Sequence, residues 1–285
     1  MKTIAIYHNK GGVGKTTTVV NLAAAYSKMG KRVLVIDLDS QANTTYATGL
    51  VKFEDELFDN IKDKNVLQVL ASEELFSIAE VARKSVFTEP EIDVVPAHID
   101  LMNAEKDLIS LEYSRLLLRS KLQDVQDDYD IVLIDTPPSL NLYARIAIIT
   151  ADYLIIPSDL KPFANQGLNN VKGFVKANNT FRKQLGLEEV QILGVLPTKI
   201  STNPKFIEHT LKNRLEIIKE RYKLPLFDTI IYDREDLAKS LEQIQIIGVI
   251  DIPDPRSVFD YKPDSKAANE FNLLAEEVLT KIGSI

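Results

Sequence analysis

Residues 8–17, HNKGGVGKTT, constrain this chain more than any other stretch. They follow an apolar run, Thr3–Tyr7, and precede Thr16–Met29, whose pattern predicts a helix stopped by Gly30, a residue suited to a left-handed C-terminal cap. Strand, glycine-rich turn and helix in that order let successive backbone N–H groups curl around an anion at a helix N-terminus, where the helix dipole adds favourable potential. The usual phosphate-loop pattern is G-x-x-x-x-G-K-[ST], but Asn9 replaces its first glycine and a second lysine, Lys10, sits inside the loop. Gly11, Gly12 and Gly14, with Val13 between them, still supply the tight backbone approach. Lys15 is then placed to reach β- and γ-phosphates and Thr16 to ligate Mg²⁺. The competing reading is a glycine-rich turn that only caps a helix; the flanking strand and helix favour the phosphate loop.

Downstream, apolar runs alternate with longer helical patterns, the signature of repeated βαβ units. Strands are predicted at Thr3–Tyr7, Arg32–Ile36, Ile92–Pro96, Ile131–Ile134, Tyr153–Pro157, Gln191–Leu196 and Asp228–Tyr232. Several are nearly continuous Val, Ile and Leu, as expected of strands covered on both faces. Helices are predicted at 60–71, 101–126, 165–184, 204–222 and 265–282, with no Ser/Gly-rich linker between them. The fold class read from this pattern is α/β, a single doubly wound, mostly parallel sheet flanked by helices, with residues 1–285 as one domain.

Composition narrows the chemistry. The chain has no cysteine and three histidines, which excludes disulfides, thiolate zinc sites and cysteine-held iron–sulfur clusters and disfavours a histidine-rich metal site. No apolar run approaches the ~18 residues of a membrane span, and no basic-apolar signal precedes the loop, so the expectation is a cytoplasmic protein. A net charge of −7 argues against a uniformly basic nucleic-acid coat but permits local basic patches.

Ligands of open α/β sheets gather outside the carboxyl ends of the strands. Two segments put carboxylates there. VLVIDLDSQAN ends a strand at Asp37 and adds Asp39 and Gln41, and DIVLIDTPPSL ends another at Asp135 before Pro137 and Pro138. Asp135 fits a Mg²⁺-site carboxylate, and Asp39 a group that orients attacking water. Each aspartate alone could equally be a turn former or a helix cap.

NKGGVGKTTTVVNLA, RVLVIDLDSQAN and YDIVLIDTPPSL together resemble the ParA/Soj branch of the deviant Walker A ATPases, and YKPDSKAANEFNLLAEEVL resembles that family's last helix. The resemblance implies an ATP hydrolase with ATP and Mg²⁺ as cofactors, working as an ATP-bound homodimer that positions plasmids, chromosomes or other cargo through an adaptor, ParB-like or another. It also implies roles for residues. Lys10 is the signature lysine that reaches the partner's phosphates, Lys15 the in-chain phosphate lysine, Thr16 the Mg²⁺ ligand and Thr17 an α-phosphate contact. Asp39 matches the switch carboxylate, Gln41 its neighbour and Asp135 the Walker B acid. The adenine-facing residues would come from PTK, Pro197–Lys199, with Thr198 at its centre, and from IPDP, Ile252–Pro255, including Pro253 and Asp254. One position departs from the family, which usually has proline where this chain has Ser40; the stiffening of a prolyl ring is missing there.

Members without an N-terminal extension usually bind DNA non-specifically, and the first strand here begins at residue 3. The segment 199–223 carries seven basic residues (Lys199, Lys205, Lys212, Arg214, Lys219, Arg221, Lys223) against three acidic ones (Glu208, Glu216, Glu220), a net of +4. At helical spacing Ile207, Leu211, Leu215, Ile218 and Tyr222 form a buried stripe flanked by those bases; the competing reading is a solvated amphipathic helix with snorkelling lysines. Arg234 is a further DNA candidate by position, and the expected location is the nucleoid. Two rival readings use the same loop. A MinD-like membrane ATPase would end in a basic amphipathic helix, whereas FNLLAEEVLTKIGSI contains more acid than base. A P-loop metabolic enzyme would need a substrate pocket beside the γ-phosphate, which no motif specifies.

Overall fold

The computed structural model describes residues 1–50, 59–111, 113–247 and 250–283. Seven strands form one sheet in the order β3-β4-β2-β5-β1-β6-β7: β1 (Lys2–Ile6), β2 (Val33–Asp37), β3 (Arg83–Ser85), β4 (Ile92–Val95), β5 (Ile131–Asp135), β6 (Tyr153–Ser158) and β7 (Gln191–Pro197). All neighbours run parallel except the edge pair β3–β4. The expected doubly wound, mostly parallel sheet is therefore present. Its antiparallel edge strand Arg83–Ser85 is too short and polar to stand out in the sequence.

The helices are α1 (Lys15–Lys28), α2 (Asn43–Ala47), α3 (Val66–Ala71), α4 (Ile78–Val81), α5 (Leu101–Ser110), α6 (Ser114–Asp124), α7 (Leu142–Thr150), α8 (Pro162–Gln184), α9 (Pro204–Tyr222), α10 (Glu235–Leu241), α11 (Val258–Tyr261) and α12 (Lys266–Lys281). A small antiparallel hairpin, β8 (Ile244–Ile247) and β9 (Ile250–Pro253), stands apart from the main sheet.

Strand periodicity explains why the apolar runs are continuous. In β1, Ile4 and Ile6 enter one core cluster with α1 and α12, while Ala5, and Tyr7 just beyond the strand, enter the other with α7 and α8. In β5, Ile131 and Leu133 go one way, Val132 and Ile134 the other. Alternate residues thus face opposite helical layers, and both layers need them apolar.

Several boundaries differ from expectation for local reasons. The helix expected over 60–71 starts only at Val66, because Asn65 forms a capping box with Gln68. The helix expected over 101–126 is two, α5 and α6, with residue 112 outside the described residues. Asp228–Tyr232 is not a ladder strand; Tyr232 makes a single bridge to Ile200 and gives its N–H to Glu270 Oε2 at 3.1 Å. Helix α7 escapes a pattern reading because it is buried on nearly every side, so LYARIAIIT lacks a polar stripe. Helix α9 does run from residue 204 to 222, alternating α turns with π turns at Ile207–Leu211 and Ile218–Tyr222.

Candidate functional site

The loop joins β1 to α1 at the carboxyl edge of the sheet, between β5 and β6. Gly12 and Gly14 have φ of 74° and 85°, left-handed values that explain the glycines by backbone conformation. Helix α1 has no side-chain N-cap and no acidic residue in its first turn, which leaves its N-terminal N–H groups and dipole facing the loop. Thr198, just beyond β7, fixes the loop from the side: its hydroxyl donates to the Val13 carbonyl at 2.7 Å, and its N–H donates to the Ser158 carbonyl at 2.8 Å.

The two lysines are treated differently. Lys15 is buried, 7% exposed, and its Nζ donates to the Lys10 carbonyl at 3.4 Å. Burial pushes its pKa down, opposed by the charges of Asp135 and Asp39. Lys10 points away from that position and pairs with Asp159 Oδ2 at 3.1 Å. Burial alone would raise the Asp159 pKa; hydrogen bonds from Lys10 and the Lys161 backbone outweigh it and hold the carboxyl below its ordinary value.

Beneath the loop lie the carboxylates of adjacent strands. Asp37 and Asp135 are direct register partners across β2 and β5, and both are buried. Burial raises Asp37, and the neighbouring Asp135 charge raises it further. Asp135 is likewise raised by burial, against hydrogen bonds from Thr44 and Thr16 and the Lys15 charge. Thr16 Oγ1 donates to Asp135 Oδ2 at 2.7 Å, so a hydroxyl oxygen and a carboxylate stand together at the helix N-terminus. Hard oxygen donors of this kind fit Mg²⁺, which takes one or two protein ligands and completes its shell from phosphate and water. Asp39 is also buried, and its Oδ1 accepts the Gln41 N–H at 3.0 Å; the Gln41 residue itself is exposed.

A cavity of about 170 Å³ opens beside Gly14, lined by Thr17, Thr198, Lys199, Arg234 and Leu237 among others. Thr198 and Lys199 line the cavity together with Gly14 and Thr17, Lys199 with a left-handed φ of 52°. Pro253 and Asp254 do not line this cavity; Pro253 is exposed on β9, and Asp254 Oδ2 accepts from Arg256 at 2.7 Å. Arg234 faces the same cavity and is engaged by Glu270, with its guanidinium 5.2 Å from the Tyr232 ring. Along α9, Lys205, Lys212, Lys219 and Arg221 are exposed, while Arg214 packs over Phe206 at 5.0 Å. Leu211, Ile218 and Tyr222 are buried, and Ile207 and Leu215 half-buried, as the stripe predicts.

A family profile described as an AAA domain matches residues 1–187. The sporulation initiation inhibitor protein Soj of Bacillus subtilis is 30% identical over 280 residues, 97% of this chain and 98% of Soj. The virulence plasmid ParA family protein pGP5-D of Chlamydia psittaci is 30% identical over 289 residues, 100% of this chain and 96% of the relative. The chain belongs to the ParA/Soj family of ATPases. Among solved structures, cobyrinic acid a,c-diamide synthase of Mycobacterium smegmatis, bound to an ATP analogue and magnesium, matches with a TM-score of 0.74 and 25% identity, over 100% of this chain and 96% of that one.

The sequence motifs do not single out three further polar residues of this ParA/Soj chain's site. Asp159 stands one residue beyond the apolar strand β6, close to where Asp37 and Asp135 stand on theirs, so its signal was available. His8 lies fully buried under the loop, its Nδ1 accepting the Lys10 N–H at 2.9 Å. Burial first, then the Lys15 charge, lowers its pKa to about 4, which leaves a neutral ring with its proton on Nε2. Thr44 reaches Asp135 from α2. Gly167 of α8 belongs to the same layer: a Cβ there would stand 2.7 Å from Asn9 Oδ1 and 2.8 Å from His8 Cε1, so only glycine lets α8 pack against Asn9.

Proposed function

We propose that this chain is a Mg²⁺-dependent ATPase working as a nucleotide-switched homodimer that binds nucleoid DNA without sequence preference and positions a cargo through an adaptor protein. It acts in the cytoplasm, on the nucleoid, as one domain spanning residues 1–285. The observation that carries the reading is the division between the two loop lysines. Lys15 is buried within its own subunit's site, whereas the Lys10 side chain is 30% exposed and held outside that position by Asp159.

A Mg²⁺ ion bound in this site would supply charge neutralisation for the phosphates. Thr16 and Asp135 would hold it. The loop N–H groups and Lys15 bind the phosphates, Thr17 faces the α-phosphate, and the cavity beside Gly14 takes the base. Asp39, with Gln41 beside it, orients the attacking water. Lys10 exchanges Asp159 for the partner's phosphates and neutralises charge that would otherwise repel two loaded faces, in the manner of an arginine finger supplied in trans. Loss of the γ-phosphate removes that lysine's partner, so hydrolysis weakens the dimer and sets its lifetime.

The DNA face proposed here is α9, with its exposed Lys205, Lys212 and Lys219; Lys199 and Arg234, the further DNA candidates, line the cavity beside Gly14. Co-sedimentation with DNA in ADP, in ATP and in a slowly hydrolysed analogue tests the reading. Binding only with ATP or the analogue, falling steeply with salt, is expected. Equal binding in all three states, or none, would favour a metabolic use of the same fold.

A further inference from the structure

The segment after β2 carries hydrogen bonds that the loop motif does not explain. Asp39 N–H donates to Asp37 Oδ1 at 3.1 Å, and Ala42 N–H to the Asp39 carbonyl at 2.8 Å. Thr45 closes this turn from beyond, its N–H and hydroxyl reaching Asp37 Oδ2 at 2.9 and 2.8 Å. Ala42 adopts a left-handed φ of 52° within it.

Thr44 behaves differently from its neighbour. Its hydroxyl leaves the segment and donates to Asp135 Oδ2 at 2.7 Å, the same oxygen that accepts Thr16 at 2.7 Å. A carboxylate oxygen offers two lone pairs. One is used by the helix that follows the phosphate loop, the other by α2. The Thr44 side chain is fully buried, and its hydroxyl is spent on Asp135.

The turn holding Asp39 is therefore anchored twice at one end, by Thr45 to β2 and by Thr44 to β5. That matters because Ser40 gives the turn none of the stiffness of a prolyl ring. We propose that Thr44 is a positioning residue, whose hydroxyl ties the Asp39 turn to the Asp135–Thr16 pair so that loading of the metal site and placement of Asp39 are coupled. This rests on the roles proposed for Asp39 and Asp135. Thr16 can offer its oxygen to a cation while its hydrogen stays on Asp135, so the tie survives metal loading.

Thr44→Val keeps the volume and removes the donor; Thr44→Ser keeps the donor. A hydrogen bond to a charged group is worth roughly 10- to 100-fold. In protein free of metal and nucleotide, hydrogen exchange across residues 38–47 should therefore be at least about tenfold faster in Thr44→Val and near wild type in Thr44→Ser. Mn²⁺ affinity in the presence of ADP should weaken about tenfold in Thr44→Val and recover in Thr44→Ser. Thr44→Ala carries the same expectation if the valine variant folds poorly. Unchanged exchange across 38–47, or unchanged Mn²⁺ affinity, in the variant lacking the hydroxyl would overturn the proposal. Single-turnover hydrolysis by Asp39→Ala separates the two ideas: a wild-type rate there removes Asp39 from the mechanism while leaving the exchange result to judge the Thr44 tie.

Discussion

The carboxyl edge of the sheet and helix α9 both gather charge, but they hold it in opposite ways. At the sheet edge, Lys15, Asp37, Asp39 and Asp135 are all buried, and hydrogen bonds from Thr16, Thr44 and Thr45 secure two of the carboxylates. Along α9, Lys205, Lys212, Lys219 and Arg221 stand in solvent over a buried apolar stripe. Buried charges are strong and directional because little water screens them. Exposed ones are individually weak and act by number and by the counterions they release. The first region suits recognition of one bound group in one geometry, the second a surface that tolerates any sequence.

Mutations should break this contrast in a graded way. Lys15→Ala removes the buried cation near Asp135 and Asp39 and should abolish ATP-dependent dimerisation and lower turnover roughly 10³-fold or more, read by steady-state phosphate release. Normal turnover would refute the site. Lys10→Ala should lower turnover by roughly 10³-fold as well, yet leave nucleotide binding by the monomer largely intact; dimerisation with ATP at normal affinity, measured by light scattering, would exclude the trans role.

His8 offers a pH-based test of how rigidly the loop is supported. Its folded pKa of about 4 lies below the unfolded value near 6.5, so the unfolded chain binds more protons between them. Stability contributed here is present above pH 6.5 and lost as pH falls toward 4. Between pH 7 and pH 5 the loss should be about 2 kcal/mol in urea unfolding, and His8→Asn should remove that component of the slope. The smallest effect per residue belongs to α9. Each of Lys205→Ala, Lys212→Ala and Lys219→Ala should reduce the slope of log DNA affinity against log salt by about 1 without altering sequence preference; an unchanged slope in all three would refute α9 as the proposed DNA face.

Much of the site was legible because its chemistry depends on local backbone. The loop glycines, Lys15, Thr16 and Asp135 are fixed by strand, turn and helix in immediate succession, and the strands announce themselves through apolar runs. Asp159 was legible in principle, since it stands one residue beyond the end of β6, but nothing local says that it faces Lys10, 149 residues away. Pro253 and Asp254 illustrate the converse: their segment is read for the nucleotide by resemblance, and in the structure Pro253 ends β9 while Asp254 pairs with Arg256.

By itself the sequence determined the alternation of strands and helices, the anion-binding turn, the acidic strand ends and the basic amphipathic helix. Each of these is written in periodicity or in residues close together along the chain. Only the tertiary structure decided how those groups pair. Parallel strands bring Asp37 beside Asp135, and the α8 approach at Gly167 sets His8 under Lys10. The packing of α2 against the sheet delivers the Thr44 hydroxyl to Asp135. These contacts join residues far apart in the chain, and their geometry follows from strand order and helix packing, which no single segment encodes.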